Sequence, residues 1–230
     1  MTRRPSPKMV AAYLREIGID YILVPPPAGR PASAAKPAAA TVTGTEAGET
    51  LEEIRKELLS CRGCPLCNGR RTVVFGVGNP HARLMFVGEG PGEDEDRQGE
   101  PFVGAAGRRL NQWIARLGLR REDVYIANIV KCRPPGNRAP LPEEAASCLP
   151  YLKRQIRAIR PEAVCTLGAV ALQYLLGTNE KITRVRGKWR EVDGIAVLPT
   201  YHPAFILRNQ TRETEAFADF DLLAERLHLK

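Results

Sequence analysis

The chain has 230 residues, 43% of them hydrophobic, and 34 Lys and Arg against 26 Asp and Glu give it a net charge of +8. That length holds one well-buried α/β domain plus an appendage. No apolar run approaches the roughly 20 residues that span a bilayer, and the basic opening Met1–Lys8 lacks the apolar core of a secretory signal. A basic surface suits a polyanion such as nucleic acid. The expectation is a monomeric cytoplasmic protein with no membrane partner. In that compartment the six cysteines point to metal ligation or burial rather than disulfides.

Met9, Tyr13, Leu14 and Ile17 allow a short helix over residues 7–17, within an N-terminal arm of residues 1–24. Residues 25–48 are rich in Pro, Ala, Gly and Thr. They read as a flexible linker, because few large apolar groups are available to offset the ordering entropy. The folded domain is expected over residues 49–230. It opens on a helix, where Leu51, Ile54, Leu58 and Leu59 recur at helical spacing.

From there strands and helices alternate. Arg83–Val87, Val124–Val130 and Ala163–Leu167 read as strands. Ala106, Leu110, Trp113, Ile114 and Leu117 mark one face of a helix that Gly118 stops. Pro150 predicts a break within residues 142–160, and a helix follows the third strand through Leu176. Arg184–Trp189 and Ile195–Pro199 read as a hairpin across Asp193-Gly194, and Thr211–Leu229 is helix-compatible. The alternation predicts an α/β fold, a mostly parallel sheet covered on both faces. Ligands of such folds bind beyond the C-terminal strand ends, here after Val87, at Asn128 and at Tyr201–Pro203.

Cys61 and Cys64 form a CxxC pair, and Cys132 and Cys148 a second, wider one. Two pairs of thiolates suit tetrahedral zinc or a cubane iron–sulfur cluster, and spacing does not choose between them. Cys67 extends the first motif to CxxCxxC and competes as a ligand. Cys165, inside a strand, reads as core.

The loop Gly88–Gly104 carries six acids. That many like charges oppose phosphate binding, and the Lys-Ser/Thr of a P-loop is missing. Glycines at 88, 90 and 92 allow close approach of the backbone to a ligand. Phe102 fits either a ligand face or the core. His202 follows a strand end and precedes Pro203, a rigid turn of the sort that carries function. Arg184, Arg186 and Lys188 alternate with apolar residues and form a candidate phosphate-contacting edge.

Together, the CxxC pair, GEGPGEDED…GEPFVG, NIVKCRPPGNRAP, RVRGKW and HPAFILRN closely resemble the family-four (type A) uracil-DNA glycosylases. These are iron–sulfur members of the uracil-DNA glycosylase superfamily, and the likeness runs in order from about Leu51 to Asn209. It implies a three-layer α/β/α fold and a [4Fe–4S] cluster on Cys61, Cys64, Cys132 and Cys148. It also implies a uracil-containing DNA substrate, single- or double-stranded, whose base is flipped out and hydrolysed from its sugar.

By the same likeness Phe102 stacks on uracil, Asn128 reads its edge, and Glu89 with the Gly90 backbone positions water. His202 stabilises the departing anion, Glu95 lies at the C5 edge, and Ile206-Leu207-Arg208 enters or braces the DNA helix. Two departures stand out. Gly90 occupies the place where another branch has a general-base Asp. The stretch Lys131–Pro135 lacks the His with which a further branch crosslinks to uracil. The charge and Gly90 leave as an alternative a non-catalytic DNA-binding module of the same fold, and a third reading is a zinc-stabilised scaffold or redox sensor.

Overall fold

A computed structural model describes residues 48–229. The arm at 1–24 and nearly all of the linker at 25–48 lie outside the described residues. The first described helix, α1 (Leu51–Leu59), starts where the sequence signals it. Thr50 caps it, accepting from the Glu53 N–H while Glu53 accepts in return. Ile54 and Leu58 bury its inner face.

The remaining elements are β1 (Val77–Gly78), β2 (Leu84–Gly88), α2 (Glu93–Gln98), α3 (Ala105–Arg116), β3 (Tyr125–Asn128), α4 (Pro142–Ile159), β4 (Ala163–Leu167), α5 (Ala169–Leu176), α6 (Ile182–Val185), β5 (Arg190–Val192), β6 (Ile195–Thr200), α7 (Pro203–Arg208) and α8 (Glu213–Arg226). Six strands form one sheet in the order β1-β3-β2-β4-β6-β5. The four central strands run parallel, and only β1 and β5 pair antiparallel at the edges.

Burial on both faces gives the strands near-continuous apolar runs. On β2, Leu84 and Phe86 face one core with Leu110, Trp113 and Ile114 of α3 and Phe220 and Leu223 of α8. Met85 and Val87 face the other, with Leu152 and Ile156 of α4 and Ala171 and Leu175 of α5. This is the expected α/β/α sandwich.

Three local expectations are corrected. Pro150 does not break the helix, since α4 runs through it from Pro142 to Ile159. The cost of one missing hydrogen bond is outweighed because Ala145 and Cys148 before it and Leu152, Ile156 and Ile159 after it bury one continuous face. The hairpin exists, but its first strand is Arg190–Val192, not Arg184–Trp189. Residues 182–185 make a helical turn, and Gly187, at φ +67°, packs its Cα against Asp219, leaving no room for a Cβ. Finally, the acidic loop is not wholly irregular, because residues 93–98 form α2.

Candidate active site

Three strand ends converge on one side of the sheet. β2 runs into Glu89-Gly90-Pro91-Gly92, β3 ends on Asn128, and β6 leads into Tyr201-His202. A cavity of about 540 Å³ opens between them, lined by Glu89, Gly90, Glu95, Phe102, Asn128 and His202. Arg208 also reaches it, as do Pro134, Asn137 and Arg138.

Asn128 is 2% exposed, and its Oδ1 is buried with no hydrogen-bond partner. An orphaned acceptor costs about 1–3 kcal/mol. At a cavity wall it marks a place for a ligand donor. Gly88 makes this arrangement possible. A Cβ there would lie 2.5 Å from Asn128 Oδ1 and 2.6 Å from Phe102 Cζ, so any side chain would push the two groups out of the cavity.

Phe102 holds φ +53°, a left-handed conformation that costs a bulky residue on the order of 1–3 kcal/mol. The surroundings enforce it. Glu95 accepts from the Val103 and Gly104 N–H at 2.9 and 3.0 Å with one oxygen, and from Gly92 N–H at 3.0 Å with the other. Arg121 donates to the Pro101 carbonyl on the other side. Gly107 lets α3 press directly on the Phe102 carbonyl. Glu95 therefore closes the cavity wall and also ties the two ends of the loop together. We expect Glu95→Ala to lower kcat/KM about 10- to 100-fold, the cost of bonds to a charged acceptor. Steady-state kinetics on the purified variant checks this, and a loss below about twofold would assign those bonds no part in placing Phe102.

His202 caps α7, its Nδ1 accepting from Ala204 N–H at 3.1 Å. Burial, helped by the Arg208 charge and opposed by Glu95, holds its pKa down at about 4. The ring is neutral at pH 7, and with Nδ1 an acceptor the proton sits on Nε2. It lies 5.6 Å from the Phe102 ring, centroid to centroid. Glu89 is half-buried, and burial raises its carboxyl above the ordinary value. At Gly90 a Cβ would stand 2.7 Å from Val130 Cγ2. The packing on Val130 thus crowds any side chain at that place, and Glu89 is the acid of the turn.

The basic edge is arranged differently from expectation. Arg184 and Lys188 are exposed but lie outside the cavity lining. Arg186 is committed to the interior, binding the buried Asp219 carboxylate through Nε at 3.0 Å and Nη2 at 2.5 Å. Asp219 also accepts from Thr200 Oγ1 at 2.6 Å, so Arg186 fixes the end of β6 just before His202. Ile206 is fully buried in the core, which corrects its expected place against DNA. Leu207 is half-buried, and Arg208 is exposed at the cavity mouth.

A second, smaller cavity collects cysteines distant in sequence. Cys61, Cys64, Cys67, Cys132 and Cys148 line it together with Arg70 and Lys131. Cys165 lies in β4, fully buried and apart from them. Burial pushes the Cys148 thiol up to about 11, and those of Cys132 and Cys64 also upward. Among the described residues no three His, Cys, Asp or Glu side chains meet the geometry of a single bound metal ion. The lining supplies the donor chemistry of a thiolate site. Sequence reasoning missed Arg70, Lys131 and Arg121. The one available signal was Lys131, a charge inside the apolar run Ile129-Val130-Lys131-Cys132.

A flat aromatic, an orphaned amide and a neutral histidine thus line one cavity at the strand ends of a three-layer α/β/α sheet. The family model described as the uracil DNA glycosylase superfamily matches residues 75–225. The type-4 uracil-DNA glycosylase of Archaeoglobus fulgidus is 48% identical over 186 residues, 77% of this chain and 93% of the relative. That of Thermotoga maritima is 48% identical over 169 residues, 72% and 87% of the two chains. A type-5 uracil-DNA glycosylase of Pyrobaculum aerophilum is 34% identical over 196 residues, 71% and 86%. The chain belongs to the uracil-DNA glycosylase superfamily and, within it, to the type-4 family.

Proposed function

We infer that this chain removes uracil from DNA, hydrolysing the N-glycosidic bond to leave an abasic site and free uracil. The observation that carries the reading is the orphaned Oδ1 of Asn128 in a cavity with Phe102 on one wall. Uracil offers that oxygen an N3–H, and its O4 accepts from the same amide. A cytosine edge, with an unprotonated N3 and an amino group at C4, would place an acceptor against the acceptor. A base inside a duplex is out of reach and must be extruded to make these contacts.

In the reaction the C1′–N1 bond breaks and its electron pair leaves with uracil, while water oxygen bonds to C1′ and gives up one proton to solvent. Glu89 and the Gly90 backbone position that water. The neutral His202 donates from Nε2 to O2 of the departing anion, electrostatic stabilisation that strengthens as charge develops. Phe102 stacks on the ring, and Glu95 occupies the C5 edge. Arg208, Leu207, Arg184 and Lys188 supply DNA contacts, with residues 49–230 as the catalytic unit. Oligonucleotides carrying uracil, cytosine or thymine at one position test the reading. Base release from uracil alone supports it, and equal release of cytosine would contradict the Asn128 assignment.

The pH dependence follows from the two shifted groups. Glu89 protonates above the ordinary carboxylate range and His202 only near 4. As pH falls, kcat/KM should drop first with Glu89. In Glu89→Gln activity is lower throughout, and the acid limb moves down towards 4. An acid limb near the usual histidine value, unchanged in Glu89→Gln, would contradict a neutral His202.

Cys61, Cys64, Cys132 and Cys148 would hold a [4Fe–4S] cluster. The donor set fits it: several thiols from distant segments line one cavity, with cations beside them. The cluster would supply a cross-link between α1, the end of β3 and α4, and no step of the hydrolysis passes through it. Among the described residues no helix is long and apolar enough to cross a membrane. The reading includes a monomer working in the cytoplasm.

A further inference from the structure

Lys131 is fully buried, with 0% of its surface exposed. Among the described residues its ammonium bonds one side chain, Gln155 Oε1, at 2.6 Å. The Gln155 amide is itself fixed by donating to the Phe75 carbonyl at 2.9 Å. A neutral amide does not offset the several kcal/mol that burying an ammonium costs. Among the described residues no carboxylate bonds it, and Lys131 lines the cysteine cavity, where cluster-bound thiolates would supply the negative charge. A second cation stands on another side. Arg70, half-buried, donates from Nη1 to Cys132 Sγ at 3.2 Å and lines the same cavity.

We propose that Lys131 and Arg70 are counter-cations built to neutralise the cysteine-held cluster and hold it against one-electron oxidation. The proposal rests on the cluster reading above. A cubane core in its ordinary doubly positive state, bound by four thiolates, carries a net double negative charge, which two cations balance. Net charge and hydrogen bonds to sulfur are what set the potentials of such centres. Oxidation removes one electron from the core and leaves it more positive, beside two fixed positive charges. The cations therefore disfavour oxidation. Removing either one stabilises the oxidised state and lowers the midpoint potential.

The test uses the full-length protein and three variants: Lys131→Met, Arg70→Gln and Arg70→Lys. Iron and acid-labile sulfide are measured first. Oxidation by ferricyanide, which takes one electron and becomes ferrocyanide, is then followed against potential by visible absorption and electron paramagnetic resonance. Lys131→Met and Arg70→Gln should each raise the oxidised-to-reduced ratio at a fixed potential about tenfold, a fall of about 59 mV for a one-electron couple. Arg70→Lys should return most of the way to the parent value. If Lys131→Met does not fold, the half-buried Arg70 pair carries the test. Iron-loaded variants with unchanged potentials would overturn this proposal and leave the cluster reading standing. A parent protein without iron and sulfide would overturn both.

Discussion

Replacing His202 by alanine is expected to lower kcat about 100- to 1,000-fold, the range found when one donor to a developing anion is removed. KM should change much less. The reason lies in the direction of the hydrogen bond at Nδ1. Because that nitrogen accepts from Ala204 N–H, the only donor the neutral ring presents is Nε2–H. A carbonyl oxygen in the ground state gains little from it, whereas the same oxygen on a departing anion gains much. An effect confined to transition-state charge appears in kcat. His202→Asn, with a shorter amide donor, should recover part of the loss. Single-turnover rates with saturating enzyme separate this step from product release. An equal rise in KM with kcat unchanged would place His202 in substrate binding instead. His202→Ala also deletes the side-chain cap of α7, so the fold must be checked by thermal melting. Loss of a cap costs about 1 kcal/mol, too little to unfold a domain of this size.

The second large effect is expected at Cys148. Its thiol is buried, pushed up to about 11, and faces residues from α1 and the end of β3. Cys148→Ser should abolish the broad visible absorption expected of the proposed iron–sulfur centre and lower the melting temperature. Structural metal sites in small domains contribute about 10–16 kcal/mol, because nothing else folds the chain. Here a smaller contribution is expected. The segment at α1 keeps Ile54 and Leu58 packed on Phe75, and Arg154 ties it down through Glu49 and Glu57. A loss of about 5 kcal/mol lowers Tm by about 10–20 °C in a domain of this length. Calorimetry and iron analysis on the variant check both effects. Cys165→Ser, far from the cavity, should keep its iron. A Cys148→Ser protein with full iron content would remove Cys148 from the ligand set.

The parts legible in the sequence were those where local chemistry and packing agree. Thr50 and Glu53 announce α1, the unbroken apolar runs announce β2, β3 and β4, and glycines flank the strand ends that build the cavity. The failures have a common cause. At Pro150 a local rule was overruled by a buried face extending on both sides of it. At Arg186 a charge that looked solvent-facing found Asp219, some thirty residues on, by tertiary folding. Ile206 reads as a DNA wedge from its motif, yet it is core, because α7 turns that face inward. The cavity shows the same limit. Its residue types were visible, but the free Oδ1 of Asn128, the strained Phe102 and the tautomer of His202 are properties of the assembled structure.

The glycine-rich acidic turn after β2 gains a physical meaning from its packing. Gly88 leaves room for Asn128 and Phe102, and Gly90 leaves room for Val130. In the proposed reaction the turn would bring its backbone and Glu89 to the water, with Val130 crowding any side chain at Gly90. On the proposed reading, catalysis would rest on placing the water and stabilising the leaving anion more than on a strong base.

The most direct measurement is release of free uracil from a uracil-containing oligonucleotide by excess enzyme, with abasic sites counted in parallel. The expected result is one uracil and one abasic site per substrate, with no protein–DNA adduct surviving denaturation and with the rate collapsing in His202→Ala. Binding of the oligonucleotide with no uracil released by iron-loaded protein would contradict it.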